Sequence, residues 1–357
     1  SNPCSFQSVY TKILNMNAKQ PPILSVENLH TYFRQDEGVV RAVEGASFDL
    51  YPGQTLGIVG ESGCGKSVTA RSILRIVEEP GKIVQGNIWL HQPGNNGSSQ
   101  RVDLTTLGVD SQEMRNIRGG EIALIFQEPM TSFSAFHTVG NQIIEAIRLH
   151  EKLNPKEARE KAIDLLRQVG IPKPERRIDE YAFQLSGGLR QRVMIAMALS
   201  SDPRILIADE PTTALDVTTQ AQILDLLRQL QEEKGVSIIL ITHDMGVIAE
   251  MADDVVVMYL GQVVEEGPVD DIFHNPKHPY TRSLLKSIPS ILAKPRTKLA
   301  TITGSIPHPY NRPAGCSFHP RCPDFMPGRC DVAEPKLQRL NERQVVSCFL
   351  YEQEVKP

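Results

Sequence analysis

Residues Gly60-Glu61-Ser62-Gly63-Cys64-Gly65-Lys66-Ser67 follow the apolar run Thr55-Leu56-Gly57-Ile58-Val59 and precede a helical stretch from Val68 to Val77. This order of buried strand, glycine turn and helix N-terminus belongs to an α/β layer and constrains the fold more than any other stretch. The octapeptide has the form G-x-x-x-x-G-K-[ST] of a phosphate-binding loop. Unpaired backbone N–H groups and the helix dipole converge on an anion at such a turn, and glycine lets the backbone wrap it without a Cβ in the way. Lys66 is expected to reach the β- and γ-phosphates and the Ser67 hydroxyl to ligate Mg²⁺. Gly60, Ser62, Gly63, Cys64, Gly65 and Val68 complete the expected loop. The bland alternative is a plain glycine-rich turn.

The chain has 357 residues, enough for a sizeable core and two domains. With 38 basic against 42 acidic residues it lacks the basic bias of a nucleic-acid binder. No stretch of about 18 apolar residues is present, so the chain is not expected to span a membrane by itself, and no signal peptide is visible. The first residue is Ser, and Met16 is a candidate natural start. Residues 1–22 read as a flexible tail or expression remnant.

Residues 23–33 and 39–51 read as strands flanking the polar turn Arg34 to Gly38. Another strand fits Lys82 to Leu90, followed by a polar, glycine-rich loop from His91 to Gln100. Glu121 to Phe126 is a short apolar strand, and residues 138–200 are mostly helical by period, interrupted at Pro172 and Pro174. Two apolar runs, Arg204 to Ala208 and Val236 to Thr242, then alternate with helices. Continuous apolar strands between helices argue for a parallel sheet covered on both faces. Past about residue 275, prolines become frequent and four cysteines appear, marking an extension.

Ile205-Leu206-Ile207-Ala208-Asp209-Glu210 is an apolar strand ending in two acids. Asp209 suits Mg²⁺ at the strand's carboxyl end, and Glu210 suits a general base toward an attacking water. Leu185-Ser186-Gly187-Gly188-Leu189-Arg190-Gln191-Arg192 opens a further helix. Its N-terminus is a second anion site or, blandly, an ordinary helix start capped by Ser186.

With these motifs in hand, the chain resembles the ATP-binding subunits of ATP-binding cassette (ABC) transporters. Gly60–Ser67 is similar to Walker A, Leu185–Gln191 to the signature motif and Ile205–Glu210 to Walker B. Phe126-Gln127-Glu128 is similar to the Q-loop, Thr213-Ala214-Leu215-Asp216 to the D-loop and Thr242-His243-Asp244 to the switch segment. The resemblance implies an α/β fold with a RecA-like parallel sheet core, an antiparallel β subdomain and a helical subdomain. It also implies ATP and Mg²⁺ as ligands. Phe33 would stack on adenine, and Gln127 would join Ser67 and Asp209 around Mg²⁺. His243 would hold the γ-phosphate and Glu210 would serve as the hydrolytic base. Ser186, Gly187, Gly188 and Asp216 would act across a head-to-tail dimer on the nucleotide held by a partner.

The end of the chain narrows the resemblance. His278-Pro279-Tyr280-Thr281, the segment Pro307 to Pro313 and the stretch from Gly315-Cys316 to Cys348 are similar to the tail of the dipeptide/oligopeptide permease group. The implied domains are the cassette at 23–275, with a helical subdomain at about 129–200, and the loop-rich, Cys-containing extension at 276–357. Cys316, Cys322, Cys330 and Cys348 are spaced C-x5-C-x7-C-x17-C, without the tight pairs usual for structural zinc. Thiolate ligation suits this composition, and the resemblance implies a [4Fe–4S] cluster; zinc and free thiols remain alternatives. Cys64 and Cys4 are not expected to be ligands.

The expected function is ATP hydrolysis energising import of short peptides from the cytoplasmic face of a bacterial inner membrane. The expected partners are a second, homologous cassette, two transmembrane permease subunits and an extracytoplasmic binding protein, with no nucleic acid. Nickel, opines or sugars are alternative cargoes, a soluble non-transport ABC ATPase is a reading from another class, and redox control through the cysteines could accompany transport.

Overall fold

The computed structural model describes residues 21–93, 99–128, 132–288 and 302–352. Residues 1–20 of the expected tail at 1–22, part of the loop after His91, and Pro129 to Thr131 lie outside the described residues. In chain order the elements begin with β1 (Leu24–Gln35), β2 (Gly38–Leu50), β3 (Thr55–Val59), α1 (Lys66–Ile73), β4 (Gly81–Pro93) and β5 (Ser99–Asp103). They continue with α2 (Gln112–Gly120), β6 (Ile122–Ile125), α3 (Val139–His150), α4 (Pro155–Gln168), α5 (Pro174–Arg177) and α6 (Gly187–Ala198). The next are β7 (Ile205–Asp209), α7 (Val217–Lys234), β8 (Ser237–Thr242), α8 (Met245–Met251), β9 (Asp254–Tyr259) and β10 (Gln262–Pro268). The last are α9 (Val269–His274), α10 (Pro279–Lys286), β11 (Leu337–Arg339) and β12 (Val345–Ser347).

The strands form two sheets. One is antiparallel in the order β2-β1-β4-β5, and the other runs β11-β12-β10-β9-β3-β8-β7-β6. Its centre, β9-β3-β8-β7-β6, is parallel. The parallel strands bury both faces, as continuous apolar runs require. Successive residues alternate between two cores: Leu206, Leu240 and Val257 enter one, and Ile207, Ile241 and Val256 enter the other.

The first core also holds the helical layer. Ile143 and Ile147 of α3, Leu165 and Leu166 of α4 and Val193 and Ile195 of α6 pack together there. The helix starts carry their own signals. Thr138 caps α3, Asn154 caps α4 in a capping box with Glu157, and Ser186 caps α6. No helix among the described residues is long and apolar enough to cross a membrane.

Three features depart from the sequence reading. Part of the loop expected after His91 is strand: β4 runs to Pro93 and β5 pairs with it. The strands β9 and β10 were not anticipated and complete the sheet beside β3. The extension is not only loop, because β12 pairs with β10 and so adds the β11-β12 hairpin to the main sheet. That hairpin is too short, at three residues per strand, to leave a periodic signature.

Candidate active site

The loop between β3 and α1 is held by backbone contacts that admit no side chain at two glycines. Gly60 lies at φ +152°, where an added Cβ would fall 2.2 Å from the Met258 carbonyl oxygen. Gly65 lies at φ +97°, where a Cβ would fall 2.1 Å from the Ala42 carbonyl oxygen. Both positions combine a positive φ with close approach of a neighbouring strand. Buried Lys66 folds back into the loop and donates to the carbonyls of Gly60 at 2.8 Å and Glu61 at 3.1 Å. Its ammonium is thereby held against the loop backbone, where an anion would take over these contacts. Burial raises the pKa of the Cys64 thiol beside it.

Sheet order sets the rest of the site. The strands β3, β8 and β7 are neighbours and parallel, so their carboxyl ends open on the same side. Ser67, in the first turn of α1, donates its hydroxyl to Asp209 Oδ1 at 2.9 Å. Asp209 is buried, and that burial raises its carboxyl pKa against the lowering effect of the Ser67 hydrogen bond. A buried, hydroxyl-bonded carboxylate is an oxygen donor set suited to a hard cation such as Mg²⁺.

Glu210 follows at φ +48°, in the left-handed region that non-glycine residues rarely enter. Its N–H donates to the Ile241 carbonyl at 2.8 Å, which fixes the turn at the strand end. Three side chains converge on its carboxylate. Gln127 Nε2 donates at 3.0 Å, Thr213 Oγ1 donates at 2.8 Å, and His243 Nδ1 lies 3.3 Å from Oε1. Gln127 follows β6 and His243 follows β8, so one carboxylate gathers groups from three strand ends.

The cavity above this turn has a volume of about 560 Å³ and is lined by Ser62 to Val68, Gln127 and Glu210. Val39 to Ala42 of β2 close one side. His308, Pro309, Tyr310 and Arg312 of the extension close another, a contribution no motif in the sequence announced. Phe33 is not among the lining residues; it is half-buried, and its ring packs on Gly81, where a Cβ would lie 2.5 Å from Phe33 Cε1.

Ser186, Gly187, Gly188 and Asp216 do not line this cavity. Ser186 accepts from the Leu189 N–H at 3.4 Å. Asp216 caps α7, accepting from Thr219 N at 3.0 Å and Thr219 Oγ1 at 2.6 Å, and these bonds hold its carboxyl below the usual range. The two helix starts abut, since a Cβ on Gly188 would lie 2.6 Å from Thr219 Cγ2.

Cys316, Cys322, Cys330 and Cys348 are free thiols, buried or half-buried in the extension. Burial pushes Cys322 up to about 12 and Cys348 up to about 11, with the neighbouring Cys316 and Cys330 adding to the rise at Cys348. They are therefore near one another. The expected [4Fe–4S] or zinc ligation is nevertheless not supported. Among the described residues no group of three or more His, Cys, Asp or Glu side chains is placed to hold a metal ion. Burial raises the thiol pKa of Cys316, Cys322 and Cys348, whereas metal ligation needs thiolates.

Comparison with known proteins supports the geometry. A family model described as "ABC transporter" matches residues 43–213. One described as "Oligopeptide/dipeptide transporter, C-terminal region" matches residues 264–330. The chain is 48% identical over 333 residues to the oligopeptide transport ATP-binding protein AppD of Bacillus subtilis, covering 93% of this chain and 98% of the relative. It is 45% identical over 326 residues to the dipeptide transport ATP-binding protein DppD of Escherichia coli, covering 91% and 96%. Among solved structures, a dimer of the ATP-binding cassette MJ0796 in a post-hydrolysis state with ADP and Pi superposes with a TM-score of 0.59. It is 26% identical and covers 69% of this chain and 98% of that one.

Proposed function

The chain belongs to the ABC transporter family, among the oligopeptide and dipeptide transport ATP-binding proteins, and from that premise we propose how its site drives ATP hydrolysis for peptide import. The observation that carries the proposal is the convergence of Gln127, Thr213 and His243 on Glu210 beside the Lys66 loop.

In this reading the loop amides and Lys66 bind the β- and γ-phosphates of ATP, with Lys66 exchanging the Gly60 and Glu61 carbonyls for phosphate oxygens. The Ser67 hydroxyl and the Asp209 carboxylate would hold Mg²⁺ with Gln127 beside them. When bound, the ion neutralises charge on the phosphate oxygens. Glu210 orients an attacking water and takes its proton as the water oxygen bonds to the γ-phosphorus. The bond to the β,γ-bridging oxygen breaks, giving ADP and phosphate. His243 holds the Glu210 carboxylate in position and faces the γ-phosphate. Phe33 would have to leave Gly81 to stack on adenine.

Ser186, Gly187, Gly188 and Asp216 lie off their own chain's cavity, which favours a role on a nucleotide held by a second cassette. We propose that this cassette is a homologue and that the pair couples to two permease subunits at the cytoplasmic face of the inner membrane. A binding protein outside would deliver short peptides. The working units are the cassette at 23–275, with its helical subdomain at about 129–200, and the extension at 276–357. No step uses a metal on the extension cysteines. The test is ATPase activity of the purified complex with Glu210→Gln: nucleotide binding with turnover lost supports the reading, and turnover near the wild-type rate overturns it.

A further inference from the structure

Glu61, the second residue of the phosphate-binding loop, is held from outside the loop on two sides. Arg321 donates to both carboxylate oxygens, from Nη1 to Oε2 at 2.7 Å and from Nη2 to Oε1 at 3.0 Å. The Glu61 N–H donates to the Tyr280 hydroxyl at 2.9 Å. The Glu61 carbonyl accepts from Lys66 at 3.1 Å, so one residue links the extension to the loop lysine.

The far side of this clamp is built from buried groups. Arg321 has a side chain only 4% exposed and also donates to the Tyr259 hydroxyl and the Thr303 carbonyl. Tyr259, Tyr280 and Phe318 are buried and pack edge to face or tilted, with ring centroids 4.7 to 5.3 Å apart. A fork-to-fork guanidinium–carboxylate pair fixes direction as well as distance. With the guanidinium desolvated, it also resists slippage, because moving Glu61 would leave a buried charge unpaired.

We propose that Arg321 and Tyr280 are positioning residues for ATP binding, through which the C-terminal extension aims the phosphate-binding loop by way of Glu61. The proposal rests on the nucleotide-site reading above. It gives the extension a task in the ATPase itself, in line with its wall of His308, Pro309, Tyr310 and Arg312 on the same cavity. Neither Arg321 nor Tyr280 touches the cavity; both act through Glu61.

The test is steady-state ATPase and nucleotide affinity of the intact membrane complex carrying Arg321→Met, Glu61→Gln or both. Each single change is expected to raise KM for ATP roughly tenfold, with a smaller fall in kcat, as loss of one charge-assisted fork implies. The double variant is expected to match the singles, because both remove one interaction. Arg321→Lys, which keeps the charge without the fork, should recover part of the affinity. Tyr280→Phe is nearly isosteric and should raise KM by roughly threefold through one lost hydrogen bond, even where Arg321→Met fails to fold. Effects that multiply in the double variant, or a KM unchanged in folded Glu61→Gln and Tyr280→Phe complexes, overturn the proposal while leaving the ATPase reading intact. A wild-type complex that neither binds nor hydrolyses ATP overturns both.

Discussion

The Ser67 hydroxyl donates to Asp209 Oδ1 at 2.9 Å, across 142 positions of sequence. The bond ties the first turn of α1 to the end of β7, and the carboxylate it reaches is buried with a raised pKa. Asp209→Asn should therefore separate folding from catalysis. Without Mg²⁺ the amide removes a desolvated acid, and the melting temperature should equal or exceed that of the wild type. With Mg²⁺, ATP turnover should fall by roughly two orders of magnitude. Scanning calorimetry in chelator, beside an ATPase assay, checks both; a destabilised variant of normal activity would contradict the assignment.

Glu210→Gln and Lys66→Ala should fail in different ways. The first keeps the loop and loses the proposed base, so ATP affinity should stay within a few fold while kcat drops by roughly 10²- to 10⁴-fold. The second removes the cation proposed to bind the phosphates, so affinity itself should be lost. Fluorescent-nucleotide titration and single-turnover hydrolysis separate the two defects.

Gly65→Ala should be tolerated poorly despite adding a single methyl. The Cβ would fall 2.1 Å from the Ala42 carbonyl oxygen, at a φ of +97°. Strain of this kind costs about 1–3 kcal/mol, and relief would pull the loop off β2. A urea melt should show the loss of stability and nucleotide titration the loss of binding. An alanine variant matching the wild type in both would mean the loop is held less tightly than described.

Acid should loosen the junction between cassette and extension. His278 is buried and caps α10, accepting from the Tyr280 N–H at 3.0 Å. Burial, then the nearby Arg282, lowers its pKa to about 3. The depressed folded pKa gives a stability that is full above the unfolded value near 6.5 and is lost as pH falls toward the folded one. The expected loss is about 1 kcal/mol per pH unit below 6.5. His278→Asn, which can still cap the helix, should flatten the dependence between pH 7 and pH 5. Urea midpoints across that range provide the measurement, and equal slopes for both proteins would exclude His278 as the source.

The parts of the site legible in sequence are those whose spacing is set by phosphate chemistry. Gly60 to Ser67 and Asp209-Glu210 could be placed because a strand, a turn and a helix must meet an anion in a fixed order. Gln127 and His243 needed the family resemblance, since a lone amide or imidazole at a strand end carries no pattern of its own. The Arg321–Glu61 pair left no signal, being 260 residues apart with nothing local to mark it. Phe33 shows the reverse case, an aromatic at an expected position whose ring packs on Gly81. The cysteine-bearing composition and the family resemblance suggest metal ligation, but neither gives directions to the thiols, and among the described residues they form no metal-binding group. The β11-β12 hairpin was missed because its pairing with β10 is decided by tertiary contact, not by local periodicity.

In the function proposed above, ATP hydrolysis on this chain drives peptide import. The most direct measurement is uptake of a labelled dipeptide or oligopeptide into vesicles reconstituted with the complex purified through this chain, comparing wild type with Glu210→Gln. Uptake by the wild-type complex should require ATP on the cassette side and fall to background in the variant, with the same subunits present in both. Peptide uptake that proceeds equally with Glu210→Gln, or an ATP-hydrolysing preparation holding only soluble partners, would contradict it.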